Sequence, residues 1–237
     1  KNDHSEEAAR KIRFDFIFQT ARENRILKIA LGHNQDDQAE TVLMRLLRGS
    51  GLLGLSAILP RRKIGRIVII RPLLGIKRKE IADFLKAGKI TPRTDSSNLK
   101  EIYFRNRLRH KLLPELEKYN PNIKEVLAGT AQTAAYDYDF LHTSALKAFN
   151  KIKIIQSKQL KLPIEKFLRL HPALQNILLR LGFEELKGDT RRLTYQHIRE
   201  LRDLIYNRPP GSIVDLPFNI SARKNQGFLD IYIRVPR

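Results

Sequence analysis

No cysteine occurs in the 237 residues, which excludes disulfides and cysteine-ligated zinc or iron–sulfur clusters. The six histidines, His4, His33, His110, His142, His171 and His197, offer no pair at metal-ligand spacing, so no zinc site is expected. Long apolar stretches are also missing: none approaches the roughly 18 residues that a membrane-spanning helix requires. Acidic residues are scarce. Against 45 Lys and Arg stand 25 Asp and Glu, a formal charge of +20, and such an excess suits a polyanionic partner.

The excess is unevenly placed. Between Arg61 and Lys118 there are 17 basic and 6 acidic residues, so +11 of the charge lies in 58 residues. Arg61, Arg62 and Lys63 open this stretch, and Tyr103, Phe104 and Tyr119 interleave with it. Such rings either stack on unpaired bases or fill a core beside a solvated basic helix, and the sequence favours neither. A membrane surface is the rival polyanion, but the charges do not lie opposite a sustained apolar helical face.

Carboxylates gather in one place. Ile26-Leu-Lys-Ile-Ala-Leu31 is a short apolar run of the kind that makes a buried strand, and Ala39, Leu43, Leu46 and Leu47 then recur at helical spacing. Gly32-His-Asn-Gln-Asp-Asp-Gln-Ala-Glu40 and Thr41 lie across the switch in period. They crowd one histidine and three carboxylates at the carboxyl end of a strand, where open α/β sheets bind ligands and the next helix presents unpaired N–H groups. Asp37, Glu40 and Thr41 stand at i, i+3 and i+4 and so share a helix face, with the leucines turned to the sheet. The plainer alternative is that Asp36 and Asp37 only complement the helix dipole, each contributing about 0.3–1 kcal/mol. Downstream, Arg48-Gly-Ser-Gly-Leu-Leu-Gly-Leu55 puts three glycines within six residues, which suits a turn lying against a ligand or another segment. Alone, that loop is equally well explained as a helix C-cap.

Together with Ile70-Arg-Pro-Leu-Leu74, Lys79-Glu-Ile81, Asp95-Ser-Ser-Asn98, Phe104-Arg-Asn-Arg-Leu-Arg-His110, Leu113-Pro-Glu-Leu116 and Asn120-Pro121, these segments closely resemble the tRNA(Ile)-lysidine synthetase family of ATP-pyrophosphatases. Leu162-Pro-Ile-Glu-Lys166, Pro172-Ala-Leu-Gln175, Tyr195-Gln-His-Ile198 and Val214-Asp-Leu-Pro217 resemble the second domain of the same enzymes. The family's Ser-Gly-Gly-x-Asp-Ser loop, which holds ATP and its magnesium, has no counterpart here, and no two glycines are adjacent. The resemblance therefore implies a nucleotide-binding domain incomplete at its N-terminus, which alone does not complete an ATP site.

The implied fold is α/β. A Rossmann-like, adenine nucleotide alpha hydrolase-like parallel-sheet domain would cover residues 1–120, a linking helix 121–150, and a smaller mixed α+β domain 151–237. Local patterning fits this division. A first helix carries Ala9, Ile12, Phe16 and Ile17 on its apolar face. Asn122 to Phe149 reads as one helix with a stripe of Leu127, Ala131, Ala134, Tyr138, Leu141 and Ala145. Beyond it, Lys151-Ile-Lys-Ile-Ile155 suits an edge strand, and Pro172 the first turn of a helix bearing Leu174, Ile177, Leu178 and Leu181. Ile198, Leu201 and Ile205 suggest another helix, and Phe228-Leu-Asp-Ile-Tyr-Ile233 alternates like a half-exposed strand.

The activity implied is ligation of L-lysine to C2 of the wobble cytidine of tRNA(Ile) with a CAU anticodon. ATP first adenylates the base, and the lysine amine then displaces AMP. By match to the family, Asp37 and Glu40 would recognise lysine, whose ammonium must be held and then deprotonated. His33, Asp36 and Arg13 would be catalytic, with the separate roles of His33 and Asp36 left open. Arg105, Arg107 and Arg109 would meet ATP or tRNA phosphate, since guanidinium groups offer paired donors in a fixed plane. Arg105 and Arg109, four apart, would share a face while Arg107 points elsewhere. Arg61, Arg62 and Lys63 are the expected tRNA surface. ATP and Mg2+ are the implied cofactors, a cytoplasmic location is implied, and a homodimer is allowed. Two alternatives stand beside this: a non-catalytic basic tRNA-binding protein, and another tRNA-modifying ATP-pyrophosphatase. Thiolating members of that wider family generally use cysteines, which this chain lacks.

Overall fold

The computed structural model describes residues 3–93, 103–157 and 159–234, so Asp95-Ser-Ser-Asn98 lies outside the described residues. The chain divides into two compact units, 1–138 and 139–237. No helix among the described residues is long and apolar enough to cross a membrane.

The first unit begins with α1 (Asp3–Glu23), followed by β1 (Lys28–Ala30), α2 (Gln35–Leu47), the short α3 (Leu52–Leu55) and the hairpin of β2 (Arg61–Ile64) and β3 (Ile67–Ile70). The sheet order is β1-β3-β2. β1 runs parallel to β3, with Ile29 opposite Ile69, as a doubly wound fold requires. β2 is antiparallel to β3, so the sheet is mixed where a parallel one was expected. The cause is local: Gly65, at φ 58°, and Arg66 close a two-residue hairpin, far too short for a parallel crossover. β1 is also less buried than its apolar sequence suggested, because among the described residues it bonds β3 alone.

Beyond α4 (Arg78–Ala87) and the undescribed stretch, α5 (Phe104–Arg107), a π-helical segment (Leu108–Leu112) and α6 (Leu113–Tyr119) follow one another without a break. Ala39 and Leu43 of α2 bury against Leu108 and Leu113, with Met44, Phe104, Leu112 and Leu116 packed around them. The buried face of α2 thus meets this helical stretch, while Leu46 and Leu47, which share the periodicity, are exposed. Ile12 and Phe16 of α1 are likewise 70% and 68% exposed, contrary to the apolar face read from their spacing.

Helix α7 (Ile123–Ile152) is the long helix read from residues 122–149; Ala131, Ala134, Ala145 and Phe149 are its buried stripe. The second unit then forms a five-stranded antiparallel sheet, ordered β4-β5-β8-β7-β6, from β4 (Ile154–Gln156), β5 (Gln159–Pro163), β6 (Ile213–Leu216), β7 (Ile220–Asn225) and β8 (Phe228–Ile233). Helices α8 (Ile164–Leu168), α9 (Pro172–Lys187) and α10 (Tyr195–Tyr206) accompany it. Pro172 does occupy the first turn of α9, and Gly188 ends that helix in the left-handed region at φ 84°. α10 is capped by Thr194, whose N–H donates to His197 Nδ1 at 3.0 Å. β4 is an edge strand as expected, but it begins at Ile154, because Lys151 and Ile152 still belong to α7. β8 is not half-exposed: it is flanked by β5 and β7, and Leu229, Asp230 and Ile231 are all buried. Gly182 explains how closely α9 approaches. A Cβ there would lie 2.9 Å from both Ile231 Cδ1 and Leu160 Cδ2, so any larger residue would force those buried methyls aside for the helix to settle on β5 and β8.

Candidate active site

The site is built where β1 turns into α2. Asn34 caps the helix: its Oδ1 accepts from the Asp37 N–H at 3.0 Å, and Asp37 Oδ2 accepts from the Asn34 N–H at 3.0 Å. Gln38 ties the following loop to the helix, donating to the Ile58 carbonyl at 3.1 Å and accepting from its N–H at 2.9 Å. Backbone geometry, not side-chain packing alone, therefore fixes the direction of the next turn, which carries Glu40.

Three guanidinium groups converge on Asp37 and Glu40. Arg109 Nε donates to Glu40 Oε1 at 2.6 Å and its Nη2 to Oε2 at 3.0 Å; Arg105 Nε donates to Oε2 at 2.7 Å. Arg105 Nη2 also reaches Asp37 Oδ1 at 3.1 Å. Arg78 is held more loosely, its Nη2 lying 3.4 Å from Asp37 Oδ1 and 3.7 Å from Glu40 Oε1. The Glu40 side chain is only 1% exposed, whereas that of Arg78 is 42% exposed. Burial opposes ionisation of Glu40, but the two arginines outweigh it and hold the carboxyl below its ordinary range. Glu40 in turn pushes the Arg109 guanidinium above its usual value, against burial.

Asp36 faces another way. Its Oδ2 accepts from the Arg78 N–H at 2.8 Å, and its Oδ1 lies 3.2 Å from Lys124 Nζ, which also meets Glu117 at 2.8 Å. Burial raises this carboxyl, but the Arg78 N–H and Lys124 overcome it and hold it low. Asp36 thus anchors the start of α4, and α4 delivers Arg78 to the neighbouring carboxylates.

His33 is half-buried, and its Nδ1 is enclosed without a hydrogen-bond partner among the described residues. Burial, reinforced by the charges of Arg71, Arg105 and Arg10, pushes the imidazole below its usual range in spite of Asp37. At neutral pH it is therefore uncharged and able to accept a proton. Arg71 follows the end of β3, beside the end of β1, where the Leu31 N–H bonds the Ile70 carbonyl at 2.9 Å. Arg71 Nε is also enclosed without a partner among the described residues.

The structure brings together Asp37, Glu40, Arg105 and Arg109, links Asp36 to them through Arg78, and sets His33 in their electrostatic field. Arg105 and Arg109 turn to carboxylates, while Arg107 is exposed and lies over the Phe104 ring at 5.6 Å. Arg13 is exposed on α1; it is Arg10, a turn earlier, that acts on His33 and Arg71. Arg61, Arg62 and Lys63 form the exposed β2 strand, outside the cluster. Arg78 and Lys124 were not singled out from the sequence. Arg78 adjoins the Lys79-Glu-Ile81 motif, the one available signal, and Lys124 had none. Among the described residues no group of three or more His, Asp or Glu is placed to hold a metal ion.

The histidine and three carboxylates lie within residues 1–116, over which family comparison finds a PP-loop domain. Residues 1–116, just under half of the chain, are similar to that family. A TilS substrate binding domain matches 162–229. Similar curated proteins are the tRNA(Ile)-lysidine synthases of Clostridioides difficile (35% identical over 217 residues, 91% of this chain and 46% of that protein) and Caldanaerobacter subterraneus (36% over 220 residues, 92% and 46%). The bifunctional protein TilS/HprT of Listeria innocua is 37% identical over 218 residues, 92% of this chain and 34% of that protein. In both matched segments the chain is thus similar to tRNA(Ile)-lysidine synthases. It spans about half the length of the first two of these relatives.

Proposed function

We propose that this chain serves the ATP-dependent ligation of lysine to C2 of the wobble cytidine of a CAU-anticodon tRNA(Ile), through an adenylated base. The observation that carries the reading is the convergence of arginines on Asp37 and Glu40 beside an uncharged His33. A free amino acid is a dipolar ligand: its carboxylate needs guanidinium donors and its side-chain ammonium needs a carboxylate. The site offers both, since Asp37 and Glu40 lie one helical turn apart on α2 and meet Arg78, Arg105 and Arg109 from other helices. Arg78, the most exposed guanidinium and the one with the longest contacts, is the member that the lysine ammonium displaces from Asp37. Glu40 keeps Arg105 and Arg109 in place for the ligand carboxylate or for a phosphate oxygen. His33, neutral at pH 7, takes the proton that the ammonium must lose before its nitrogen attacks C2. Asp36 holds the backbone of Arg78 and so sets where that guanidinium can swing. Arg13 and the Arg61-Arg62-Lys63 strand supply positive charge toward phosphate and tRNA.

Adenylation in this scheme uses ATP and magnesium held by a Ser-Gly-Gly-x-Asp-Ser loop, a segment that does not occur in these 237 residues. The test is transfer of radiolabelled lysine to a tRNA(Ile) transcript, by this chain alone and by the chain joined to a relative's phosphate-loop segment. ATP-dependent transfer by the joined protein, abolished when the wobble cytidine is changed to uridine, is the expected result. Transfer that ignores the wobble base, or tRNA binding with no transfer at all, overturns the proposal.

A further inference from the structure

The second unit has a cluster that the ligation site does not use. Phe218, 42% exposed, sits between β6 and β7 in a connection of three residues, since Leu216 pairs with Ile220. Lys187 Nζ lies 4.1 Å from the ring centroid and the Arg192 guanidinium carbon 5.5 Å from it. These two cations come from different segments, the last turn of α9 and the loop before α10, so the cluster is assembled by the fold. Phe218 and Asn219 at φ 63° and 57°, and Arg192 at φ 63°, hold the left-handed backbone that side chains disfavour. A bulky ring kept there, and kept partly in water, is not spent on the core. The surrounding charge is positive: Lys187, Arg191 and Arg192 against Asp189, which Arg191 and then Lys187 hold far below its usual range.

We propose that Phe218, Lys187 and Arg192 form a site for one unpaired RNA nucleotide, its base stacked on the ring and the Arg192 plane and its phosphate met by the Lys187 ammonium. A planar aromatic face beside a planar guanidinium matches a nucleobase, and the flanking charges match its phosphate. A single ring among cations is too little apolar surface for insertion into a lipid bilayer. The inference rests on the reading of tRNA as the substrate, and it adds a contact on the second unit to that reading.

The chain contains no tryptophan, so Phe218→Trp installs a single fluorescent reporter at the site. Its emission should be quenched by a short single-stranded RNA and by a tRNA(Ile) transcript at far lower concentration than by a blunt RNA duplex or by anionic vesicles. Phe218→Leu, measured by filter binding, should weaken affinity for the transcript by about five- to hundredfold, the usual worth of one base–aromatic stack. The slope of log affinity against log salt should be unchanged in that variant and shallower in Lys187→Gln. Equal quenching by duplex, stronger quenching by vesicles, or transcript binding by Phe218→Leu at wild-type strength would each overturn the site. If wild type binds the transcript and Phe218→Leu binds it equally, the site alone is lost. If wild type binds no RNA, the tRNA reading falls with it.

Discussion

The two units bury different things. In the second, the enclosed residues are mainly apolar: Leu160, Leu178, Leu179, Phe183, Leu201, Leu204 and Ile231 are fully buried, with Gln175, Ser221 and Asp230 the buried polar exceptions among the described residues. In the first, a charged side chain, Glu40, is as deeply enclosed as any leucine, and its neighbours are arginines. Apolar surface there is spent in small amounts, on Ala39, Leu43, Leu108 and Leu113, while Ile12 and Phe16 remain in solvent. The comparison teaches where reactivity can be housed. A packed core tolerates no movement of charge, whereas an ion-pair cluster can exchange one partner for a ligand of the same sign.

The largest effects should separate the units. Glu40→Gln leaves Arg105 and Arg109 facing an uncharged amide, and breaking a buried pair in this way costs about 3–5 kcal/mol. Phe183→Ala opens a cavity in the second unit at a similar cost of about 3–5 kcal/mol. In urea titrations followed by amide hydrogen exchange, each variant should lower protection in its own unit. A Glu40→Gln chain as stable as wild type would break the comparison, since it would mean that the first unit is not held by its charges.

Next in size is ligand exchange. In the protein supplied with a phosphate loop, Asp37→Asn should raise the lysine concentration for half-maximal transfer about ten- to hundredfold, the worth of one charge-assisted hydrogen bond. Adenylation measured without lysine should stay near wild type. Lost adenylation with normal lysine dependence would move Asp37 to the nucleotide half of the reaction.

Acid should discriminate more gently. Asp36 and Glu40 are held below their ordinary values of 3.8 and 4.5, so the stability they contribute is present above those values and lost as pH falls through the lowered ones. His33 adds to the same trend from a higher pH: its folded value is depressed from 6.5, so below that point the unfolded chain binds a proton that the folded chain refuses. Amides of α2 should therefore lose exchange protection on acidification before those of β5 and β8. Simultaneous loss would erase the distinction.

The smallest effect belongs to the exposed strand. Changing Arg61, Arg62 and Lys63 to serine should flatten the salt dependence of tRNA binding by about 0.7–0.9 in log–log slope for each phosphate contact removed, with little change in unfolding. An unaltered slope would assign the RNA surface to the second unit.

How far the sequence disclosed all this follows from what periodicity encodes. The change from strand to helix between Gly32 and Asp36 was legible because an apolar run gives way there to helical spacing. The long helix α7 and the proline-started α9 were legible for the same reason. Periodicity does not say which surface receives a stripe. Leu46, Leu47, Ile12 and Phe16 have the right spacing and stay exposed, and Leu43 meets Leu108 instead of the sheet. Ion pairing is harder still. Arg105 and Arg109 looked like phosphate ligands because a guanidinium has the same donors for either anion, and only the fold, across more than sixty residues, says that Glu40 accepts them. Arg78 and Lys124 arrive on α4 and α7 with no local mark of their destination.

The π-helical segment at Leu108–Leu112 has a consequence for how this gene can vary. Such a segment behaves as one residue inserted into an α-helix. Deleting a residue there would restore regular α-helical winding, and because the wider turn already absorbs the extra residue, the helix beyond would keep nearly the same face. Arg105, Leu113 and Leu116, on either side of the segment, would keep their partners, and the change would fall on Arg109, which lies inside it and holds Glu40. A single-codon loss there would therefore spare the packing on both sides of the segment and fall on the grip of Arg109 upon Glu40.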